Sequence, residues 1–380
     1  MLDFPVGRPT PPGLRNDRSM DTPQEIRRAT QLLLHVDGLA QRGITRREID
    51  SAVSASRLVR VRPGWYVEAS QWQSGRSEQK HLLAILAAQQ STLRRPILSH
   101  RSAATLHGLP VWSRWMTRTA ALPQGRADLA DERSVDLTVG PSEYNAGSSA
   151  TARHRAALPS ADTTQIAGLR LTSGERTVFD LARSEPFPVA LACADAYLRG
   201  TIRVGRLVDR ASWNAWREQL VSRADAMPRG RGMAAVRALA VLADPRSDSP
   251  LESVSRLRAL QLGLTPELQV AVPNERGGSY YLDLLFRELG VFGECDGKAK
   301  YTDPALRNGR SADEVVYSEK RRHDWIEGSQ GWRGVRWGAP EVSTAASFAR
   351  HLRAQRVRVP GRPSLVLGPG IARFLRQLGP

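Results

Sequence analysis

Residues Tyr280 to Lys298 read YYLDLLFRELGVFGECDGK, and the rest of the chain takes its meaning from this stretch. An apolar, aromatic run, Tyr280-Tyr281-Leu282 and Leu284-Leu285-Phe286, is interrupted by one acid, Asp283. A turn through Glu288, Leu289 and Gly290 follows, and a second run, Val291-Phe292-Gly293, leads into Glu294 and Asp296. Strand side chains alternate faces with a period of two, so two strands joined by a tight turn suit the pattern. The alternation sets Glu294, Asp296 and Lys298 on one face of the second strand if it stays extended that far, and Asp283 on its partner can face the same way. An acid inside an apolar strand is costly to bury unless it is paired or bound to a cation. Carboxylates and a lysine converging at strand ends are what a divalent-metal phosphodiester hydrolase needs: oxygen ligands hold Mg²⁺ (or Mn²⁺), which orients water and offsets phosphate charge. The expected metal ligands are Asp283, Glu294 and Asp296.

Composition supports a polyanionic partner. The chain has 380 residues and a formal charge of +17, with a pI near 10.9. That length suits two or three domains. The basic excess is nearly all arginine, whose fork matches phosphate oxygens, so nucleic acid is the first partner to consider. DNA is expected, and RNA fits the charge equally well. From Leu251 to Pro340 acids and bases roughly cancel, so the excess lies elsewhere and would supply much of the phosphate contact. The two cysteines, Cys193 and Cys295, form no CxxC, which argues against a disulfide framework or zinc site. No apolar run reaches membrane-span length, and the first residues lack a signal-peptide core, so a cytoplasmic location without membrane contact is expected.

Upstream, Ile26, Ala29 and Leu33 give a first helix its buried stripe, and a short helix follows around Leu39 to Arg42. Thr45-Arg46-Arg47-Glu48 is a capping box, with Ile44 and Ile49 as a hydrophobic staple, and opens a third helix. Leu58 to Val61, a Pro63-Gly64 turn and Trp65-Tyr66-Val67 read as a hairpin. Three helices then a hairpin make a winged helix-turn-helix, with the helix from Thr45 as reader and Arg62 at the wing tip. Arg46, Arg47, Arg57, Arg60 and Arg62 form its electrostatic footprint.

Two resemblances follow from these residues. Ser249-Pro250-Leu251-Glu252, Leu282-Asp283-Leu284 and Glu294-Cys295-Asp296-Gly297 resemble, in order, the S-P-x-E helix, V-D-L strand and E-x-D-G of the Vsr-like branch of the PD-(D/E)XK restriction-endonuclease-like superfamily. The likeness runs from about Ser249 to Trp337 and includes a late helix, Glu319 to Asp324. It implies a Mg²⁺-dependent endonuclease in which Asp283, Glu294, Asp296, Lys298 and Glu252 are catalytic, and Arg322 on the late helix binds DNA phosphate. One departure is plain: the superfamily lysine belongs two residues after the glutamate, where Asp296 stands, and Lys298 lies two further on. Glu252 also suits simple helix capping. The first half resembles the AbiEi-like type IV, abortive-infection antitoxins through the winged helix, Ser99 to Leu109 (SHRSAATLHGL) and Thr172 to Ala182 (TSGERTVFDLA). That likeness implies transcriptional repression and a cognate toxin.

The expected architecture is therefore multidomain α+β: an N-terminal winged helix-turn-helix, a mixed α+β connecting domain and a C-terminal restriction-endonuclease-like α/β domain. The boundaries read as a disordered extension (1–20), the winged helix (21–70), the connecting domain (71–226), a linker with a short helix (227–248), the nuclease-like domain (249–345) and a basic tail (346–380). The functional alternative is a non-catalytic antitoxin-type regulator whose acids serve a partner.

Overall fold

Apolar side chains of the first helix, α1 (Thr22–Leu32), bury Ile26 and Ala29, as their spacing requires. β1 (Leu34–His35), α2 (Val36–Gln41) and α3 (Arg46–Ser54) follow, and α3 opens on the Thr45/Glu48 capping box. β2 (Leu58–Arg62) and β3 (Trp65–Glu68) form the hairpin, and β1 adds to it in the order β1-β3-β2. This computed structural model describes residues 22–91, 96–112, 114–117, 132–143, 150–296 and 312–379. The expected N-terminal extension and Lys298 lie outside them.

After α4 (Ala69–Ser74) and α5 (Ser77–Gln90), a five-stranded sheet of order β6-β5-β4-β8-β7 is built from β4 (Ile97–Leu98), β5 (Val135–Val139), β6 (Thr151–Arg155), β7 (Thr163–Ile166) and β8 (Leu169–Thr172). Short helices α6 (His100–Leu106) and α7 (Arg114–Thr117) lie between β4 and β5. Then come α8 (Gly174–Ser184), α9 (Phe187–Ile202), the small hairpin β9 (Arg203–Val204) and β10 (Leu207–Val208), α10 (Arg210–Asp225), α11 (Met233–Leu242) and α12 (Pro250–Gln261). The last sheet, β11-β12-β13-β14, comprises β11 (Glu267–Pro273), β12 (Ser279–Phe286), β13 (Val291–Cys295) and β14 (Arg333–Trp337). α13 (Ala312–Gln330) precedes β14, and α14 (Ala345–Ala354) and α15 (Pro369–Gln377) follow it. The chain is thus a multidomain α+β protein with several sheets. Among the described residues no helix is long and apolar enough to cross a membrane.

Two expected boundaries are not breaks in packing. Val61, Trp65 and Val67 of the first hairpin share one core with α5 and with Leu98, Val135 and Leu171 of the five-stranded sheet. The stretch read as a linker carries α11, where Val236, Ala238 and Leu239 are fully buried. It packs in a second core with α8, α9, α12 and the last sheet. The expected basic tail likewise forms α14 and α15, which bury Phe348, Leu352 and Leu375 in that same core. In the linker and the tail a few apolar residues at helical spacing outweigh the basic, Pro- and Gly-rich composition around them.

α12 is buried on every side from Leu251 to Gln261, so its two arginines need internal partners. Arg256 reaches Asp195 on α9 at 2.8 Å, and Arg258 donates to the carbonyls of Val342 and Ser343. This helix joins the five-stranded half of the molecule to the last sheet and sets Glu252 beneath it.

Candidate functional site

β12 and β13 run antiparallel, pairing Leu284 with Gly293 and Phe286 with Val291. One step past the Leu284–Gly293 rung stand Asp283 and Glu294. β13 is parallel to β14, opposing Glu294 to Arg336. Asp283 accepts the Cys295 backbone N–H at 2.8 Å. Glu294 is 8% exposed. Its Oε2 accepts from Arg322 Nη1 at 2.8 Å, while its Oε1 is buried with no hydrogen-bond partner among the described residues. Arg322 also donates to the Tyr281 carbonyl at 2.6 Å. Burial disfavours the Arg322 charge, but the bond to Glu294 and the nearby carboxylates of Asp283 and Glu319 more than offset it, and its pKa is raised.

Glu252 caps its own helix. It accepts from Ser249 Oγ at 3.0 Å and from the Asp248 N–H at 2.8 Å, and Gln269 Nε2 donates to it at 2.9 Å. Burial first, and then the charge of Asp283, raise the pKa of its carboxyl to about 8. The Cys295 thiol is pushed up by burial and then by Asp283 and Glu252. Three acids from α12, β12 and β13 therefore share one electrostatic neighbourhood, with Arg322 as a counter-ion. Gly293 makes room for the Trp337 ring rather than for a ligand, since a Cβ there would lie 2.0 Å from that indole.

The other expected residues are placed differently. β13 ends at Cys295, and the Asp296 carboxylate beyond it faces Arg336 at 3.7 Å. Among the described residues no group of three or more His, Cys, Asp and Glu side chains is placed to hold a metal ion. The expected three-ligand set of Asp283, Glu294 and Asp296 does not assemble as such a group: β13 stops before Asp296, whose carboxylate faces Arg336 instead. Arg322, expected to meet DNA phosphate, turns inward to Glu294. His323 packs on Phe292 with ring centroids 5.1 Å apart, and Glu319 faces Arg336 at 3.8 Å. Two polar partners escaped the sequence reading, Gln269 and Asp248. Gln269 left one signal, as a polar residue between the apolar Leu268 and Val270 of β11.

Whether a divalent cation suits this place turns on the bare Oε1 of Glu294. A buried carboxylate oxygen without a donor costs free energy. Mg²⁺ keeps several waters and is commonly held by one or two carboxylates. Asp283 and Glu294 match that requirement, and Glu252, with both oxygens already bonded, does not add to it.

Near the N-terminus, Arg46, Arg47 and Arg57 are exposed. Arg46 and Arg60 both pair with Asp50, at 3.7 and 3.3 Å. Arg62, expected at a wing tip, instead donates to the Ala150 carbonyl and Thr151 Oγ1 at 2.7 and 2.6 Å, tying β2 to the start of β6.

No known family model matches the chain. It is similar to uncharacterized proteins of two Mycobacterium tuberculosis strains, CDC 1551 / Oshkosh and H37Rv. Each match is 30% identical over 205 residues, covering 52% of this chain. The match spans 66% of the length of those relatives, just under two thirds.

Proposed function

We propose that this is a DNA-binding protein whose last sheet carries a Mg²⁺- or Mn²⁺-dependent phosphodiester-hydrolysing site of the Vsr-like, PD-(D/E)XK kind. The observation behind it is the buried, unbonded Oε1 of Glu294 beside Asp283. Asp283 and Glu294 would hold the cation. When bound, Mg²⁺ supplies a Lewis acid for the phosphate and a more acidic water. Arg322, which donates to Glu294, would offset charge developing on the phosphate, the task the superfamily gives its lysine. Glu252 shapes the local field through Asp283. Lys298, outside the described residues, remains in the proposal as a second positive group.

In the same proposal α1 to α3 with the β1-β3-β2 sheet act as a winged helix-turn-helix, with exposed Arg46, Arg47 and Arg57 on phosphates. Arg60 lies beside them, and Arg62 has a structural part. An AbiEi-like region joins the two, a cytoplasmic setting suits both, and RNA is a second candidate substrate. One observation favours the alternative of a non-catalytic, antitoxin-type regulator with a cognate toxin: the Arg322–Glu294 ion pair already neutralises the acid that the cation would need.

Supercoiled plasmid decides between them. With Mg²⁺ or Mn²⁺ the wild type should nick or cut, and Asp283→Asn should reduce cleavage to background while leaving gel-shift affinity unchanged. Cleavage that persists in Asp283→Asn removes the site assignment. No cleavage, with a metal-independent shift of the protein's own promoter, selects the regulator.

A further inference from the structure

The hairpin of β9 and β10 exposes apolar side chains beside the candidate site. Val204 and Leu207 oppose each other across its two strands, and they are 79% and 80% exposed. A cross-strand apolar pair turned into water contributes nothing to the core. Its base, however, is held firmly. Arg203 donates to the Pro245 and Arg246 carbonyls at 3.0 and 3.3 Å and pairs with Asp248 at 2.6 Å. Arg199 donates to the Ser247 carbonyl at 2.7 Å. Arg206, in the turn, pairs with Asp248 at 3.0 Å, bonds the Gln269 amide oxygen and lies over the Tyr281 ring at 4.2 Å. Gln269 in turn donates to Glu252, and the Tyr281 carbonyl receives Arg322, the partner of Glu294. The turn is thus linked through Gln269 to Glu252, and through Tyr281 and Arg322 to Glu294.

We propose that Val204 and Leu207 form an apolar wedge that seats against a base step of duplex nucleic acid lying across the candidate site. The proposal rests on the hydrolase reading above and names the substrate contact that flanks its site. Two side chains are too small for a stable protein interface, which needs about 800 Å² per partner. An apolar wedge between base steps needs only one or two such side chains. Charge agrees: four arginines, Arg199, Arg203, Arg206 and Arg210, lie around the pair against two acids, Asp209 and Asp248, the second of which pairs with Arg203 and Arg206, in a chain of formal charge +17. The arginine-anchored base also means that little ordering entropy opposes insertion.

The test compares the full-length wild type with Val204→Thr/Leu207→Thr, an exposed pair of changes, in EDTA so that nothing is cut. Filter binding to linear duplex gives affinity. Relaxation of plasmid by a metal-independent topoisomerase in the presence of each protein reads unwinding, whatever sequence is preferred. The wild type should shift the topoisomer distribution. The double variant should bind roughly tenfold more weakly and leave the distribution unshifted, as expected for loss of about 1.4 kcal/mol of base contact. Affinity within twofold of wild type, or no unwinding by the wild type, overturns the wedge while leaving the hydrolase reading in place. So does a dimer in sedimentation that the double variant loses, which would seat a second copy on the pair. A wild type that binds no duplex at all removes both proposals together.

Discussion

Two arginines tie acids together in this molecule, and they do so to different degrees. Arg176 on α8 bonds Asp162 at 2.9 Å and both oxygens of Asp180 at 3.1 Å. Arg223 adds bonds of 2.5 and 3.0 Å to the two oxygens of Asp162. Every carboxylate oxygen of that cluster has a donor. Around Arg322 the bonding is incomplete, because Glu294 Oε1 has no donor among the described residues. A cluster whose acids are fully matched by guanidinium is a structural device. One that leaves a buried oxygen without a donor among the described residues is where the proposed cation would bind.

The largest effect should come from breaking the two arginines in parallel. Arg176→Met leaves Asp162 and Asp180 buried with too little positive charge and should cost about 3–5 kcal/mol. Millimolar Mg²⁺ or Mn²⁺ should not return it, since Arg223 still occupies both oxygens of Asp162 and leaves Asp180 without a second free carboxylate beside it. Arg322→Met should also lower the urea midpoint, yet here the divalent ion should restore stability by mass action, by about 2.7 kcal/mol when present at a hundred times its dissociation constant. Urea unfolding of both variants, with and without MgCl₂ or MnCl₂, makes the comparison. If the cation rescues neither, the Asp283–Glu294 pair is no metal site.

The local half of this contrast was legible in the sequence. An acid inside the apolar run of β12, a capping box at Thr45 and the hairpin strands from Leu58 to Val67 are short-range patterns, and their elements stand where the spacing puts them. Long-range partners were not. Arg322 meets Glu294 across 28 positions and Tyr281 across 41, and no periodicity encodes which arginine turns inward. Arg62 was misplaced for the same reason, since its partners Ala150 and Thr151 belong to another sheet. The helices of the basic tail were not legible either, because its arginine-rich composition masks the few apolar residues of α14 and α15. Asp296 was grouped with Glu294 by strand alternation, which holds only while a strand continues.

A second contrast concerns pH. His81, buried on α5, bonds the Glu132 carbonyl at 2.7 Å and Ser102 Oγ at 2.9 Å. Burial holds its pKa down at about 4, against an ordinary value of 6.5. His100 is lowered further, to about 3, by burial and then by the stacked His154. The unfolded chain therefore binds protons between pH 6.5 and about 4 that the folded chain does not. Stability from His81 is full above pH 6.5 and is lost as pH falls toward 4, at about 1.4 kcal/mol per pH unit, or roughly 3 kcal/mol in all. Denaturant midpoints at pH 7.5, 6 and 5 should fall steadily for the wild type and less steeply for His81→Gln. Equal slopes would mean that His81 does not titrate on unfolding.

The smallest effects separate crowding from backbone strain at two glycines, Gly293 within β13 and Gly290 just before it. A Cβ at Gly293 would meet the Trp337 ring at 2.0 Å, whereas one at Gly290 would meet nothing within 4 Å. Gly290 has φ +57°, in the left-handed region. Gly293→Ala must push an indole that is held by Ser255 Oγ at 2.8 Å and packed on Phe348, and overpacking of this kind costs about 1–3 kcal/mol. The strand carrying Glu294 would move with it, so the response to Mg²⁺ or Mn²⁺ should weaken as well. Gly290→Ala pays for conformation alone, about 1 kcal/mol, and should leave the cation response untouched. If both alanines cost the same and neither alters that response, Trp337 does not set the position of Glu294. The bare oxygen would then owe its place to Arg322 alone.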